Sequence, residues 1–490
     1  MVWWGVCGGP RRDRGMSVQH RGVAVVGFGP AGVGVLTGAL REGVLDRLVR
    51  AGVVVLEDRT PASAPSGLSA YAIDSDSLAD SFLAPLGSWG PDDRFRSAGP
   101  WADSVLAALS AHGPLPRGQA VPLSWAARVQ ELLREMVLRE ADRVRADHGG
   151  TGVELRTGER VVSVQRLARG WRVRTQPVGI DDAMDPDGAT WDADSVVLAC
   201  GAIQHPDQLR AVRVAGLSPG RDLLGTVLGS DAVLRHGGTR RILDAVAGRP
   251  APRAAIVGGG HSAMAVARVL LGLADTHAVP WEPGAITILH RRPLRATFPS
   301  PEAAREAGYD EFVAEDVCPR TGRVFPLAGF RAGSRELYLA MRGLGGRPAE
   351  SRVSLIDLRR TPDDEVGHVL HSADVVVLAT GYTRLVPPIL DERGGPIALH
   401  GKDHPLHHVD ARSRVLAAGQ QPLDGLFATG LAAGYPMAGT YGEPSFVGLA
   451  NGTSLWQTDI GGSIARQTIQ RHEESVADRL ADRLADVPTC

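Results

Sequence analysis

A six-residue glycine pattern near the start of the chain constrains the fold more than any other feature. The pattern G-x-G-x-x-G is formed by Gly27-Phe28-Gly29-Pro30-Ala31-Gly32. It follows an apolar stretch, Val23 to Val26, that is typical of a buried parallel strand, and it precedes a helical stretch from Val33 to Leu40. A second apolar strand, Val53 to Leu56, ends at Glu57. This order of strand, turn, helix and strand predicts a βαβ dinucleotide-binding unit.

The residues of this unit have separate predicted roles. Gly27 permits the tight turn, Gly29 lets the backbone approach a pyrophosphate, and Gly32 lets the helix pack close to the strand. The helix N-terminus offers free N–H groups and a positive dipole end to the phosphates. Glu57 is predicted to accept hydrogen bonds from a ribose diol. The chain holds 60 glycines, so the bland alternative is a glycine turn in a core βα unit, but the flanking strands and Glu57 favour nucleotide binding.

A second unit of the same kind lies near the middle of the chain. The strand Ala254 to Val257 leads into a G-x-G-x-x-A turn, Gly258-Gly259-Gly260-His261-Ser262-Ala263. The strand after the next helix runs into His290-Arg291-Arg292, where the first unit has Glu57. A carboxylate would repel a 2′-phosphate, whereas an arginine can hold one bidentately. We therefore expect FAD in the first unit and NADPH in the second, with Arg291 and Arg292 on the 2′-phosphate. The alternative for both arginines is solvated surface charge.

Other parts of the chain are predicted to complete the two nucleotide sites. His261 lies within the phosphate turn and is expected to face phosphate or ribose rather than act as a base. Two apolar strands that end in small-residue turns, Ser195 to Gly201 and Asp374 to Tyr382, are predicted to close the first and the second domain. Further cofactor contacts are predicted at Val161, Gly381 and Gly430.

These units predict an α/β fold with two Rossmann-like, three-layer (ββα/βαβ) dinucleotide-binding domains, the second inserted in the first. The stretch from Arg59 to Gly118 is too long for a structureless loop, and we expect it to lie over the flavin and form part of the substrate pocket. The predicted boundaries are a disordered extension at 1–16, an FAD-binding domain at 17–225 and 400–462, an NAD(P)H-binding domain at 250–385, and a C-terminal helix at 463–490.

Composition excludes several classes of function. The net charge is −2 and no basic stripe stands out, so nucleic acid is not an expected partner. No apolar run is long enough to span a bilayer, and no membrane partner is expected. The 4 cysteines have neither C-x-x-C nor zinc-site spacing, so no metal is expected and a reducing compartment, the cytoplasm, is favoured. The sequence leaves the oligomeric state open.

The two glycine runs and a late Ala379-Thr380-Gly381-Tyr382 together resemble the class B flavoprotein monooxygenases, above all their N-hydroxylating branch that acts on lysine, ornithine and similar amines. The resemblance implies FAD and NADPH as cofactors, and molecular oxygen and a small amine as substrates. It also implies a flavin C4a-hydroperoxide that needs no protein nucleophile or metal. By match it assigns Gly27, Gly29, Gly32 and Glu57 to FAD, and Gly258, Gly260, Ala263 and Arg291 to NADPH.

Two alternatives remain open at the level of sequence. One is a flavin reductase or dehydrogenase that passes electrons from NAD(P)H to a small molecule or protein without inserting oxygen. The other is a non-catalytic flavoprotein, against which two intact nucleotide patterns argue. The missing C-x-x-C pair disfavours a disulfide reductase, and the missing F-x-G-x-x-x-H pattern disfavours Baeyer–Villiger chemistry. No catalytic side chain can be named from the sequence.

Overall fold

The structure, a computed structural model, describes residues 18–60, 67–111, 113–178, 188–401, 408–434, 442–448 and 452–485. The predicted disordered extension at 1–16 lies outside the described residues, as do the last residues of the predicted C-terminal helix, 486–490. Two sheets with parallel cores organise the described chain, which confirms the predicted α/β class with two Rossmann-like units.

Within these ranges the strands are β1 (Gln19–Val26), β2 (Val53–Glu57), β3 (Asp74–Leu78), β4 (Gly87–Trp89), β5 (Phe95–Ser97), β6 (Ala120–Pro122), β7 (Val153–Thr157), β8 (Glu159–Arg166), β9 (Trp171–Pro177), β10 (Thr190–Leu198), β11 (Ala202–Ile203), β12 (Thr226–Gly229), β13 (Ala254–Val257), β14 (Ile286–His290), β15 (Val353–Asp357), β16 (Val375–Leu378), β17 (Thr383–Arg384), β18 (Ile389–Leu390), β19 (Arg414–Leu416) and β20 (Pro422–Ala428).

The α-helices are α1 (Pro30–Arg41), α2 (Leu45–Ala51), α3 (Ala79–Leu83), α4 (Pro100–Ser110), α5 (Leu123–His148), α6 (Pro206–Ala211), α7 (Pro219–Asp222), α8 (Ser230–Leu234), α9 (Gly238–Val246), α10 (His261–His277), α11 (Pro301–Glu306), α12 (Ala332–Met341), α13 (Asp363–Ser372), α14 (Thr453–Leu455) and α15 (Gly461–Ala485). A π-helical turn, Trp456–Ile460, joins α14 to α15.

The first sheet has the order β18-β8-β9-β10-β1-β2-β7, and β20 also pairs with β10. Strands β20, β10, β1, β2 and β7 are mutually parallel, whereas β9 runs antiparallel to β10. All five residues of β2 are buried, because helices and loops cover both faces of the parallel part, and this explains its continuous Val-Val-Val-Leu run.

The second sheet, with the order β12-β16-β13-β14-β15, is parallel throughout. All of its strands lie in sequence between β10 and β20, which are neighbours in the first sheet, so the second unit is inserted in the first as predicted. Strand β12 joins this sheet although it precedes residue 250, and β18 joins the first sheet although it precedes residue 400. These memberships favour earlier boundaries than those predicted from sequence.

The last helix packs against the first. The half of α15 nearest its N-terminus buries Ile464, Ala465, Thr468 and Ile469, whereas Leu480 and Leu484 near its end are 57% and 66% exposed. Ile464, Ala465 and Ile469 share one apolar core with Val33, Val35 and Leu36 of α1. The N-terminal half of α15 therefore belongs to the first unit.

Candidate functional site

A cavity of 1720 Å³ lies where the two units meet, at the carboxyl ends of β1, β2 and β10. Binding pockets for one small molecule measure about 300–1,000 Å³, so this cavity has room for more than one ligand. It is lined by residues of both glycine turns, including the predicted site residues Gly27, Phe28, Gly29, Pro30, Ala31, Glu57, Val161, His261 and Ser262. The other predicted site residues are not part of its wall, namely Gly32, Gly258, Gly259, Gly260, Ala263, Arg291, Arg292, Gly381 and Gly430.

The first glycine turn leaves a free space beside Gly29. Gly27 has φ +92°, and a Cβ there would come within 2.6 Å of the Ala199 carbonyl oxygen. A Cβ on Gly32 would come within 2.0 Å of the Gly27 oxygen, whereas one on Gly29 would meet nothing within 4 Å. Gly29 caps α1 without a side chain, and the first N–H groups of a helix have no partner within it. This open cradle of N–H donors fits a pyrophosphate.

The second glycine turn repeats this geometry. The N–H of Gly27 donates to Leu56 O over 2.8 Å, and that of Gly258 donates to Leu289 O over 2.9 Å. Gly258 has φ +136°, and its Cβ would come within 2.2 Å of the Ala379 oxygen. Gly260 caps α10 and, like Gly29, has open space around it. The second turn therefore offers the same kind of cradle to a second dinucleotide.

Glu57 lies at the cavity wall between two arginines. Its carboxylate is 5% exposed and accepts hydrogen bonds from Arg59 Nε over 2.8 Å and from Arg134 Nη1 over 3.2 Å. The Arg134 guanidinium also lies 4.9 Å from the centre of the Phe28 ring. Arg59 Nη2 also donates to the Glu57 carboxylate over 3.3 Å, so three of the about four hydrogen bonds that a carboxylate can accept are taken, and Glu57 keeps capacity for one ribose hydroxyl. Arg134 was not predicted from the sequence, although Gln130 and Arg134 form a polar i, i+4 pair beside the apolar face of α5.

The arginines predicted to bind the 2′-phosphate lie outside the cavity. Arg291 and Arg292 are exposed directly after β14, where the backbone oxygen of Arg292 is 3.0 Å from His290 Nδ1. In the described ranges neither side chain takes part in an ion pair. Their contact with a 2′-phosphate stays a prediction.

His261 begins α10 and lies on the cavity wall. Burial, helped by the charge of Arg331, lowers the pKa of this imidazole to about 4, so it is neutral at pH 7. Its ring meets the edge of Phe330 at 5.5 Å, and among the described residues its Nε2 has no hydrogen-bond partner. A neutral ring cannot form an ion pair with phosphate, and since Nε2 is buried, a contact of this nitrogen with phosphate or ribose stays a prediction.

A cluster of polar side chains that the sequence analysis missed stands on the same wall. The hydroxyls of Tyr71 and Tyr382 each donate to Asp231 Oδ1 over 2.7 Å, and Arg235 Nη2 donates to Asp231 Oδ2 over 3.0 Å. Both tyrosines and Arg235 line the cavity. Tyr382 had a signal, since it ends the late Ala-Thr-Gly-Tyr run, but nothing in the long stretch around Tyr71 marked that residue.

The stretch from Arg59 to Gly118, which was expected to form part of the pocket, contacts the second unit. The Ser334 hydroxyl, at the start of α12, lies 2.7 Å from each carboxylate oxygen of Asp76 in β3. Backbone N–H groups of Leu327 and Ala328 donate to the buried carboxylate of Glu443 over 3.0 and 2.7 Å. These contacts fasten the second unit to the first along the cavity rim.

Two further predicted site residues are glycines with left-handed backbones. Gly430 has φ +73°, and its Cβ would come within 2.6 Å of Ala31 Cβ, so it supports the start of α1. Gly381 has φ +96° and precedes Tyr382.

No cluster of His, Cys, Asp and Glu that could hold a metal ion occurs in the described part of the chain. None of its helices combines the length and the apolar character required to cross a bilayer.

Comparison with known proteins identifies the family. The pyridine nucleotide-disulphide oxidoreductase family matches residues 21–325. CMP-5′-(3-aminopropyl)phosphonate hydroxylase from Streptomyces rubellomurinus is 30% identical over 474 residues, which cover 92% of this chain and 97% of that protein. The predicted relationship to hydroxylases is confirmed by this relative.

Solved structures also resemble the chain. Ornithine hydroxylase from Pseudomonas aeruginosa has 14% identity and a TM-score of 0.49, with 93% of this chain and 100% of that chain covered. L-lysine 6-monooxygenase from Pseudomonas syringae has 16% identity and a TM-score of 0.48, with 92% and 100% covered. By its family match and its hydroxylase relative, the chain belongs to the pyridine nucleotide-disulphide oxidoreductase family and is an oxidoreductase that uses FAD and NAD(P)H.

Proposed function

We propose that this protein is a monooxygenase that hydroxylates the nitrogen of a small primary amine. The observation that carries the proposal is one cavity between the two units that is lined by residues of both glycine turns, among them Gly29 and His261. The overall reaction consumes R–NH2, O2, NADPH and H+ and yields R–NHOH, H2O and NADP+. FAD, when bound, supplies the chemistry that accepts two electrons from NADPH and activates oxygen. The relative that hydroxylates an aminopropyl phosphonate supports an amine as the substrate.

The chain's own residues bind and orient in this scheme. The N–H groups at the start of α1 would hold the FAD pyrophosphate and Glu57 its ribose, while the N-terminus of α10 would hold the NADPH pyrophosphate. Arg291 and Arg292 would select NADPH over NADH. The joined loop regions around Asp76 and Glu443 would keep bulk water from the reacting centre. Free thiols at Cys200 and Cys318 support a reducing compartment, which we take to be the cytoplasm.

The competing function is a reductase without oxygen insertion. Cys200 and Cys318 both line the cavity, but burial raises the pKa of the Cys200 thiol to about 12. Its thiolate, the form that attacks a disulfide, is therefore scarce at neutral pH. The Cys318 thiol differs, because burial alone would raise its pKa but hydrogen bonds with Thr321 and neighbouring backbone groups lower it below its ordinary value. Disulfide reduction is therefore disfavoured by the missing C-x-x-C pair, which leaves small-molecule or protein acceptors as the reductase alternative.

The test measures, for the purified holoenzyme, how much hydroxylamine forms from amine probes for each NADPH and O2 consumed. The probes are CMP-5′-(3-aminopropyl)phosphonate, ornithine and lysine. We expect at least one probe to yield close to one hydroxylamine for each NADPH and O2 consumed. NADPH oxidation that returns all of the oxygen as hydrogen peroxide with every probe, or that continues without oxygen when an electron acceptor is added, would establish the reductase instead.

A further inference from the structure

The cluster at Asp231 fixes the direction in which two tyrosine protons point. The hydroxyls of Tyr71 and Tyr382 lie 3.4 Å apart, and both are 2.7 Å from the same carboxylate oxygen, Asp231 Oδ1. A carboxylate can only accept hydrogen bonds, so each tyrosine must be the donor. Burial is the main cause that raises the pKa of both phenols, which therefore remain protonated at neutral pH.

Each phenol has one proton to donate, and it is used in the hydrogen bond to Asp231. What Tyr71 and Tyr382 can then offer to the cavity is an oxygen lone pair, so the two side chains act as a pair of acceptors. Asp231 Oδ2 is held by Arg235 over 3.0 Å, and this guanidinium offsets the carboxylate charge that would otherwise favour a cation beside it. The two phenolic oxygens thus match a neutral group that carries two N–H bonds.

A primary amine is such a group, and the direction of its hydrogen bonds decides whether it can react. Transfer of oxygen to nitrogen requires the lone pair of a neutral amine. A phenol that donated its proton to the amine would occupy that lone pair, whereas a phenol that accepts from an N–H bond leaves it free. Because both hydroxyl protons are directed to Asp231, the cluster leaves the lone pair of the amine nitrogen free.

We propose that the oxygens of Tyr71 and Tyr382 accept the two N–H bonds of the substrate amine, and that Asp231 is the positioning residue that keeps both hydroxyl protons away from the amine lone pair. This inference rests on the proposed function and names the part of the cavity that receives the reacting group. Tyr71 precedes β3, Asp231 lies in α8, and Tyr382 follows β16, so the site assembles only where both units meet.

The first test uses single hydroxyl deletions. With CMP-5′-(3-aminopropyl)phosphonate as the probe, we expect Y71F and Y382F holoenzymes each to bind it about three- to tenfold more weakly, the loss of one hydrogen bond. The N-methyl derivative of the probe lacks one N–H donor, so the affinity difference between the two probes should shrink in the variants. The control is Y338F, because Tyr338 donates to Leu294 O over 3.0 Å and does not line the cavity.

The second test addresses Asp231 through a readout that a purely structural role would not move. D231N keeps an acceptor oxygen for the two hydroxyls, whereas D231L removes it and frees both protons for the amine. We expect the hydroxylamine formed per NADPH consumed to stay near the wild-type ratio in D231N and to fall severalfold in D231L. Should D231L not fold, the two tyrosine variants still decide the question.

The carboxamide of nicotinamide also carries an N–H2 group, so NADP+ binding is measured in the same variants. Weaker binding of NADP+, with no change for its 3-acetylpyridine analogue, would assign the acceptor pair to the cofactor and overturn our proposal. If the wild-type enzyme hydroxylates an amine probe, but Y71F and Y382F bind that probe as tightly as the wild type does, the acceptor pair is refuted and the proposed function is not. Failure of the wild-type enzyme to bind or hydroxylate any amine probe would overturn the proposed function and this inference with it.

Discussion

Gly38 of α1 and Gly462 of α15 touch backbone to backbone: a Cβ on Gly38 would lie 2.3 Å from the Gly462 amide nitrogen. One turn earlier a Cβ on Gly461 would lie 2.1 Å from the Gly34 oxygen. The helix predicted to present its N-terminus to FAD is thus held by the last helix of the chain at a distance that only glycine allows.

The variant G38A should therefore destabilise the protein. The added methyl group cannot fit without a shift of backbone, and overpacking of this kind costs about 1–3 kcal/mol. The measurement is the unfolding midpoint of the holoenzyme in urea. The matched control is G272A, since Gly272 lies inside α10 with nothing within 4 Å of its Cβ, and alanine favours a helix interior by about 0.5–1 kcal/mol. A G38A midpoint equal to that of G272A would contradict the close packing.

Alanine substitutions at Gly27 and at Gly29 of the first turn should have different effects. Gly29 has φ −76° and open space, so G29A should fold normally but bind FAD at least about tenfold more weakly, because the methyl group occupies the pyrophosphate cradle. G27A places a methyl group against Ala199 and strains a left-handed residue, and we expect loss of folded protein. Circular dichroism reports folding, and flavin fluorescence titration reports FAD affinity. A G29A variant with wild-type FAD affinity would argue against the cradle.

Arg291 and Arg292, the exposed arginines after β14, should determine the preference of the enzyme for NADPH over NADH. Loss of a hydrogen bond to a charged group costs about 1.5–3 kcal/mol, so R291Q or R292Q should raise the KM for NADPH by about ten- to a hundredfold. The KM for NADH should not change, because NADH has no 2′-phosphate. Steady-state kinetics with both cofactors provide the measurement, and R241Q, at an exposed arginine of α9, is the control. Equal losses with NADPH and NADH would contradict the assignment.

Asp194, which is 3% exposed, should make stability depend on pH. Burial alone would raise the pKa of its carboxyl, but hydrogen bonds from His20, His472, Arg479 and Ser475 outweigh burial and hold that pKa far below its ordinary value. A lowered native pKa means that the stabilisation is complete above the unfolded pKa of about 3.9 and is lost as the pH falls below it.

The variant D194N should lose about 3 kcal/mol at pH 7, the cost of breaking a buried charge network, and should lose less than the wild type on further acidification. Urea unfolding at pH 7 and pH 3 measures both effects. D424N is the control, because Asp424 of β20 also pairs with an arginine of α15, Arg471, but is 63% exposed at the carboxylate and should contribute at most about 1 kcal/mol. Equal effects of D194N and D424N would refute the network's role.

The sequence was sufficient to predict both nucleotide units, because their signals are local. A turn such as Gly27 to Gly32 has its special backbone, its helix start and its flanking strand within a few residues, and the same holds for Gly258 to Ala263. The insertion of one unit in the other also followed from the order of these patterns. The domain boundaries were less accessible, because β12 and β18 are too short to carry a pattern of their own.

The rest of the site depends on contacts between distant parts of the chain. Tyr71, Asp231 and Tyr382 lie in three separate segments. No motif or residue spacing in the sequence indicates that the two tyrosines share one carboxylate oxygen of Asp231. Arg134 reaches Glu57 from a helix whose apolar face dominates its pattern. The C-terminal helix was predicted at 463–490, but its packing against α1 could not be predicted, because the approach of Gly38 to Gly462 has no local signature.

The pairing of the first and last helices also bears on how the protein is made. Strand β1 and helix α1 leave the ribosome long before β20 and α15, which complete their sheet and their core. All of the strands of the second sheet emerge in between, so the inserted unit can fold during translation while the enclosing unit still waits for its remaining strand. The early part of the enclosing unit must therefore remain protected from misassembly until β20 and α15 have emerged, and loss of α15 would expose the core of the first unit rather than that of the second.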